Sequence, residues 1–306
     1  MSTAPRNSAI RIGTAERGGT FYAQGLTLKS VLERHWKPSS VEVRESAQAS
    51  IENANCLYSG DIDFGFMAAN WIGRARKGEP PFAQPIELRL AAPMNAGPLF
   101  FIARDDSSIR MVSDLRDKRV AVGTEKSGMA QHARTIFGAL GLSFADFKPL
   151  FLGFSAGADA LASGETDAQL QCPIPNKVMT DLAQRIGVRV LQFGPDQLDQ
   201  VLKAAPDYRS TVMRQGLFRG LDADVPQLAV VNVLVTHARN DEETVHAVAR
   251  AIVSGAKELG RLNPLFEGIT DLFRPLLSEG SKALEFGGVA LHPGALRAYR
   301  EAGLLA

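Results

Sequence analysis

The chain has 306 residues, of which 45% are hydrophobic and 22% charged, a composition that can bury a large core and excludes a disordered chain. Its 34 basic and 33 acidic residues leave a net charge of +1 without a basic run that could follow a phosphate backbone, which argues against a nucleic-acid partner. The longest apolar stretch, Leu228–Val231 followed after Asn232 by Val233–Val235, is far shorter than the roughly 20 residues that span a bilayer.

The N-terminal segment and the cysteines add further limits. Residues 1–8 are polar and have no apolar region typical of a secretory signal, so the sequence allows a cytoplasmic protein or one whose signal has been removed. Cys56 and Cys172 have no metal-binding spacing, and we expect two buried thiols rather than one disulfide. The five histidines show no metal-site spacing either, so neither a metal nor a cofactor is predicted.

The first predicted elements form a β-α-β-α-β unit. A β-favouring run, residues 9–12, is followed by Gly13, a loop ending at residues 18–20, and a helix. One face of that helix is predicted from helical spacing and consists of Tyr22, Leu26, Val31, Leu32 and His35. A strand at Val41–Arg44, a second helix and the turn SGDID at residues 59–63 complete the unit.

A second copy of the same order follows an apolar strand, Leu99–Arg104, that could cross from one lobe to another. It begins with the strand Arg119–Val122, Gly123 and a loop ending at Ser127-Gly128. The predicted face of its first helix consists of Met129, Ala133, Ile136, Phe137 and Leu140. Ser127 is a typical N-cap, Gly141 a typical C-terminal glycine, and a strand at Lys148–Leu152 follows. The closing turn is SGETD at residues 163–167.

Alternating strands and helices with short loops predict parallel sheets. A strand at Leu228–Thr236 could cross back to the first lobe, and the helices after Asp241 belong to it. The predicted fold class is therefore α/β, with two Rossmann-like lobes and a central ligand cleft. Lobe I comprises residues 1–103 and 206–306, and lobe II comprises residues 104–205.

Both glycine-bearing loops precede helices at the carboxyl ends of predicted strands, where ligands of open α/β sheets bind. Helix N-termini present unpaired N–H groups and partial positive charge, so each loop is a candidate anion site. Thr20 and Ser127 add hydroxyls, and Arg17 and Lys126 add positive charge. Neither loop has a P-loop or dinucleotide spacing, which disfavours a nucleotide.

The strand after Asp167 carries glutamines on one face, because Gln169 and Gln171 alternate with Leu170. Gln171 and residues 173–176 are therefore expected to supply polar contacts at the cleft.

One motif points to an enzyme instead. Residues 153–157 read G-x-S-x-G between a strand and a helix, the context of a nucleophile elbow. Ser155 would be the nucleophile, with His292 late in the chain and Asp222 or Asp241 between them. The other interpretation is an ordinary strand-to-helix turn like residues 46–50. His132 is predicted to be a solvated or half-buried surface residue, and Asp61, Asp63 and Asp167 to be turn residues rather than cation ligands.

An ordered set of segments resembles the TAXI-type solute receptors of TRAP transporters over nearly the whole chain. The segments are Gly18-Gly19-Thr20-Phe21-Tyr22, Ser46 through Ser50 to Asn53, Ser59-Gly60-Asp61-Ile62-Asp63, Ser113-Asp114-Leu115, Val122-Gly123 with Ser127-Gly128, and His292-Pro293-Gly294-Ala295. The resemblance implies the type II periplasmic-binding-protein fold, closure of two lobes around an organic acid or an amino acid such as glutamate, and delivery to an ion-driven membrane permease.

The resemblance also implies a ligand pocket, to which the strand pattern adds Gln171. Its residues are Gly19, Thr20, Tyr22, Ser46, Ser50, Ser127, Gly128, Gln171, Pro175 and Asn176. The chain departs from the family pattern at Glu16-Arg17, where small residues or proline are common, at Asp117, where Gly is usual, and in having no signal peptide.

The sequence thus predicts a monomeric, non-enzymatic binding protein for a small carboxylate-bearing solute, with TRAP permease subunits as partners. Its location would be the periplasm, or the cytoplasm if the N-terminus is native. The alternatives are a serine hydrolase that uses Ser155 and a cytoplasmic ligand sensor of the same fold.

Overall fold

The computed structural model describes residues 9–17, 19–36, 40–125, 127–171, 174–205 and 207–306. The chain forms two compact units: unit 1 contains Met1–Ala96 and Val231–Ala306, and unit 2 contains Gly97–Val230. The chain passes between units within two long strands, whereas the sequence placed the boundaries after residues 103 and 205.

The helices and strands follow in chain order. The first part of unit 1 contains β1 (Ile10–Gly13), α1 (Thr20–His35), β2 (Val41–Arg44), α2 (Ser50–Ser59), β3 (Phe64–Ala68), α3 (Ile72–Lys77) and the beginning of β4 (Leu88–Arg104). Unit 2 continues β4 and contains β5 (Arg119–Ala121), α4 (Gly128–Ala139), β6 (Lys148–Leu150), α5 (Phe154–Ser163), β7 (Ala168–Gln171), α6 (Lys177–Arg185), β8 (Val188–Val190), α7 (Gln197–Ala204), β9 (Tyr208–Met213) and the beginning of β10 (Val225–His237). The chain ends in unit 1 with α8 (Glu242–Ser254), α9 (Ala256–Leu262), α10 (Ile269–Phe273), α11 (Pro275–Glu279) and α12 (Pro293–Glu301).

The sheet of unit 1 has the order β2-β1-β3-β10. β1 is parallel to both β2 and β3, and β10 is antiparallel to β3. All five residues of β3 are buried, as expected for a strand of a parallel sheet that is covered on both faces.

The sheet of unit 2 repeats this arrangement in the order β6-β5-β7-β4. β5 is parallel to β6 and β7, and β4 is antiparallel to β7. β8 also pairs with β4, and β9 with β10. The predicted α/β class with a β-α-β-α-β unit in each half is confirmed.

The two predicted turns are built in the same way. Gly60 and Gly164 end their helices at φ values of +83° and +81°, which glycine adopts without steric cost. The Asp63 carboxylate accepts hydrogen bonds from the backbone N–H of Arg11 at 2.8 Å and from its guanidinium at 3.0 and 2.8 Å. Asp167 holds Arg119 through the same three bonds at 2.8, 3.1 and 2.7 Å. Both carboxylates therefore fix a turn to the first strand of their unit.

Three predictions about single side chains need correction or gain an explanation. Leu26 is 45% exposed, because the first half of α1 buries Phe21 and Leu28 instead. Val31 and Leu32 are buried as predicted. His132 is 4% exposed and is not a surface residue, since it lies one turn before Ile136 on the apolar face of α4. Asp117 has φ +62°, a left-handed conformation that suits the glycine that the resemblance implies for this position.

Cys56 is a half-buried free thiol, and Cys172 lies outside the described residues. Across the described part of the chain, no helix combines the length and apolarity that crossing a bilayer requires.

Candidate functional site

The predicted ligand residues fall into two sets, one per unit, at the carboxyl ends of the parallel strands. Unit 1 holds Gly19, Thr20, Tyr22, Ser46 and Ser50, and unit 2 holds Ser127, Gly128, Gln171, Pro175 and Asn176. That one ligand uses both sets stays a prediction.

In unit 1, the start of α1 is an open helix N-terminus. Gly19 is the N-cap, no side chain caps the helix, and its first turn has no acidic residue. A β-carbon on Gly19 would lie 3.0 Å from the carbonyl oxygen of Glu16, so glycine allows the loop to approach the helix. Thr20 and Tyr22, both half-buried, occupy the first turn. The free N–H groups and the helix dipole suit an anion.

The positive charge beside this helix is already paired. The Arg17 guanidinium donates to Oε1 of Glu45 at 2.6 and 3.0 Å and lies with Cζ 5.6 Å from the centre of the Tyr22 ring. Arg17 therefore joins the loop before α1 to the loop before α2. Gly18 and Lys126 lie outside the described residues.

The start of α2 is occupied by its own chain. The Ser50 hydroxyl accepts a hydrogen bond from the backbone N–H of Ala68 at 3.0 Å, and the Ser46 hydroxyl donates to the carbonyl of Ala49 at 3.4 Å. The Glu52 carboxylate accepts a backbone N–H of the preceding loop at 3.1 Å. These bonds give both serines a role in the fold, and their contact with a ligand stays a prediction.

The sequence interpretation missed a buried amide cluster in unit 1. The side-chain oxygen of Asn95 accepts from Nε2 of Gln24 at 3.2 Å and from Nδ2 of Asn232 at 3.1 Å. All three residues are at most 5% exposed, and Oε1 of Gln24 has no hydrogen-bond partner in the described chain. A signal was present, since Asn232 interrupts the longest apolar run.

In unit 2, the N-cap prediction for α4 is confirmed. The Ser127 hydroxyl accepts from the backbone N–H of Ala130 at 3.2 Å, and Gly128 is the first helical residue. Further along α4, Nδ1 of His132 lies 2.7 Å from the Tyr208 hydroxyl. Complete burial lowers the pKa of His132 to about 4, so this imidazole is neutral at pH 7.

The start of α6 is also capped. The side-chain oxygen of Asn176 accepts the backbone N–H of Met179 at 2.8 Å, directly after the cis bond between Ile174 and Pro175. Asn176 therefore has a structural function, and its contact with a ligand stays a prediction. Pro173 lies outside the described residues.

The start of α5, in unit 2, is an open helix N-terminus. Gly153 is the N-cap without a side-chain cap, and the first turn has no acidic residue. Next to it, the glutamines of β7 form a relay: Nε2 of Gln171 donates to Oε1 of Gln169, whose Nε2 donates to the carbonyl of Phe154, both at 2.9 Å. Gln171 is fully buried, and its Oε1 has no partner within the described residues.

Two of the side chains proposed for a serine hydrolase, His292 and Asp241, have other functions in the fold. Ser155 is an exposed residue of the first turn of α5 and not of the loop before it. Nδ1 of His292 accepts the backbone N–H of Gly294 at 3.1 Å, and Oδ2 of Asp241 accepts that of Thr244 at 2.9 Å. Burial lowers the pKa of His292. The histidine and the aspartate thus cap their own helices, which favours the interpretation of residues 153–157 as a strand-to-helix turn.

Comparison with known proteins gives one matching family and many similar folds. The profile described as "NMT1-like family" matches residues 12–303. The periplasmic aliphatic sulphonate binding protein SsuA from Escherichia coli is 17% identical, with a TM-score of 0.51 over 97% of this chain and 88% of that one. A TctC solute binding protein from Polaromonas, solved without ligand, is 16% identical, with a TM-score of 0.54 over 88% of this chain and 89% of that one.

A third similar structure is the effector binding domain of QuiR in complex with shikimate. It is 11% identical, with a TM-score of 0.51 over 82% of this chain and 98% of that domain. At these identities the likeness establishes the fold, which is that of periplasmic binding proteins.

Proposed function

Since the chain belongs to the NMT1-like family, we propose that it is an extracytoplasmic solute-binding protein for a small carboxylate-bearing solute, an organic acid or an amino acid. The ordered segments that resemble TAXI-type receptors make the permease of a TRAP transporter the proposed partner. In this proposal the two units enclose the solute, and β4 and β10, through which the chain passes between units, serve as the hinge.

The observation that carries the proposal is the pair of open helix N-termini, α1 in unit 1 and α5 in unit 2. Neither helix has a side-chain cap or an acidic residue in its first turn, whereas α2 has a carboxylate in its own first turn. Unpaired N–H groups together with the helix dipole favour a bound anion. An anion bound by backbone N–H groups needs no arginine. This agrees with the structure, because the Arg17 guanidinium is already paired with Glu45.

The likeness to SsuA and TctC supports a transport function. The names of SsuA and TctC describe binding of sulphonates and of a solute, and a periplasmic location is proposed here by the same reasoning. An enzymatic function has less support, because His292 and Asp241 cap helices.

A thermal-shift screen over dicarboxylates, amino acids, aromatic acids and alkanesulfonates tests the proposal. We expect a carboxylate to raise the melting temperature, because binding to the folded state alone stabilises it. Thr20→Ala combined with Ser127→Ala should abolish that shift. Since Ser127 caps α4, each shift is measured against the melting temperature of the same variant without ligand.

Ser278→Ala, on the exposed side of α11, is the matched control and should keep the full shift. The absence of a shift with every organic acid and amino acid would contradict the carboxylate proposal, and a shift with alkanesulfonates alone would replace it.

A cytoplasmic ligand sensor is the second candidate, favoured by the likeness to the QuiR effector binding domain. The two functions differ in location. Fractionation of cells that express the native gene should place the protein in the periplasm, and its recovery with the cytoplasm would favour the sensor.

A further inference from the structure

The glutamine relay of unit 2 has a fixed direction. The carbonyl of Phe154 can only accept a hydrogen bond, so Gln169 must present its NH₂ group to it. Oε1 of Gln169 is then the atom that faces Gln171, and Gln171 must in turn present its own NH₂ group. The remaining oxygen of Gln171 is therefore an acceptor, whichever way the amides are drawn.

This oxygen is buried without a hydrogen-bond partner among the described residues. Leaving a buried acceptor unpaired is unfavourable, because no hydrogen bond replaces the water that burial removes. The fold therefore holds, at the carboxyl end of β7, an acceptor that a hydrogen-bond donor would complete.

The position of Gln171 is level with the start of α5. Because α5 connects the parallel strands β6 and β7, it runs antiparallel to β7. Gln169 contacts the first turn of α5, where a β-carbon on Gly157 would lie 2.6 Å from its Nε2. Gln171 is two residues, about 7 Å, further along the strand, and the N-cap Gly153 is four residues, about 6 Å, back along the helix.

By this count of residues, two complementary groups belong to the same end of α5 and β7. The first N–H groups of α5 are donors without a side-chain cap, and Oε1 of Gln171 is an acceptor. A plain carboxylate satisfies only the donors, whereas a carboxylate with a hydroxyl or ammonium group on the adjacent carbon satisfies both.

We infer that unit 2 recognises a 2-hydroxy or 2-amino carboxylate, with the carboxylate on the first turn of α5 and the neighbouring hydroxyl or ammonium group on Oε1 of Gln171. This inference rests on the proposed function, in which the solute enters before the chain closes around it. It also assigns a binding role to the start of α5, which the sequence analysis interpreted as a nucleophile elbow or an ordinary strand-to-helix turn.

Titration calorimetry with two matched series of acids tests the inference: succinate, malate and aspartate, and glutarate, 2-hydroxyglutarate and glutamate. In each series the plain acid lacks only the donor. The preferred hydroxy or amino acid should bind about tenfold more tightly than the plain acid, the ratio expected for one buried acceptor that gains its partner. Whether malate or aspartate is preferred distinguishes the hydroxyl from the ammonium.

Gln171→Met removes the acceptor and keeps the length of the side chain, so we expect the ratio to fall to about one while the plain acid still binds. Retained binding of the plain acid shows that the variant is folded. Gln200→Met, which removes an exposed glutamine bond to the carbonyl of Ala139 in the same unit, should keep the tenfold ratio.

The outcomes separate this inference from the function on which it rests. Equal affinity for the plain and substituted acids in the unaltered protein, or an unchanged ratio in Gln171→Met, overturns the inference and leaves a carboxylate-binding protein. Absence of binding by all six acids overturns the inference, and a response to other solutes in the thermal-shift screen then decides whether the proposed function stands.

Discussion

The two repeated units solve one packing problem with opposite residues. In unit 1 an amide lies on the helix and a glycine on the strand, Asn53 on α2 facing Gly65 on β3. In unit 2 the glycine lies on the helix and the amide on the strand, Gly157 on α5 facing Gln169 on β7. Asn53 and Gly157 are 104 positions apart, and so are Gly65 and Gln169. The turns at residues 59–63 and 163–167 have the same offset.

The exchange changes where the hydrogen-bonding capacity goes. The NH₂ group of Asn53 donates to the carbonyls of Thr14 and Phe66 at 2.8 and 2.9 Å, so it ties two strands of unit 1 together. In unit 2 the amide on the strand supports Gln171, whose oxygen is left without a partner in the described chain. One unit uses its amide for stability, and the other leaves an acceptor for a ligand.

The largest effect is expected for Asn53→Ala. The substitution removes the Asn53 donor from the buried carbonyls of Thr14 and Phe66 and opens a small cavity, and we expect the free energy of unfolding to fall by about 4 kcal/mol. Urea unfolding measured by circular dichroism gives the value.

Asn55→Ala is the matched control, because Asn55 is exposed on the same helix, and it should change stability by less than about 0.5 kcal/mol. A loss below about 1 kcal/mol in Asn53→Ala would show that the amide is not a structural tie between the strands.

The next comparison concerns Gln24 and His132, the fifth residues of α1 and α4, which are both buried and hydrogen-bonded. Only the histidine titrates. Its folded pKa of about 4 lies below the ordinary value of 6.5, so the unfolded chain binds the proton more readily. The contribution of neutral His132 to the free energy of unfolding is therefore complete above pH 6.5 and is lost as the pH falls towards 4. Between pH 7 and pH 5 the loss is about 2 kcal/mol.

His132→Gln places the residue of unit 1 in unit 2 and removes this titration. Urea unfolding at pH 7, 6 and 5 should give a difference between the two proteins that shifts by about 2 kcal/mol in favour of the variant. Comparison with the unaltered protein cancels the other histidines of lowered pKa, His237 and His292. Parallel pH profiles would show that His132 is protonated in the folded state as easily as in the unfolded chain.

The smallest effect concerns the residues before α2 and α5, which are also 104 positions apart. Ala49 has φ +44° and ψ −115°, a conformation that favours glycine, whereas Gly153 has φ −63°, which any residue adopts. Ala49→Gly should raise the free energy of unfolding by about 1 kcal/mol, because relief of strain exceeds the added freedom of the unfolded chain.

Gly153→Ala is the reciprocal test. A β-carbon there would be no closer than 3.9 Å to its nearest neighbour, Cγ2 of Thr124, so we expect a change within about 0.5 kcal/mol. Thermal melts of both variants give the two values. Destabilisation by Ala49→Gly would mean that the strained loop is not relieved by glycine.

Much of the scaffold could be predicted from the sequence. The two β-α-β-α-β units, the N-cap Ser127 and the turn glycines Gly60 and Gly164 follow from local patterns, because a cap or a left-handed turn depends on residues within a few positions. The repeat can be recognised from the sequence because it consists of such local patterns. The glycine that the resemblance implies at position 117 also reflects a local property, the left-handed φ of Asp117.

The candidate site could be predicted only in outline. The sequence placed polar residues at the carboxyl ends of strands, and the structure shows that Ser50 and Asn176 are engaged there by backbone N–H groups. The predicted exposures of His132 and Leu26 are wrong, because the exposure of a helical residue depends on which elements pack against the helix, and helical spacing does not identify them.

Local sequence patterns specify the repeated scaffold and the offset that relates its halves. The partners of buried polar groups are set by the folded chain: Asn53 bonds across 39 and 13 positions of the chain, whereas the oxygen of Gln171 has no partner among the described residues. A helix, a turn or a cap is stabilised by neighbours in sequence, while the pairing of a buried amide depends on atoms that only folding brings within hydrogen-bond distance.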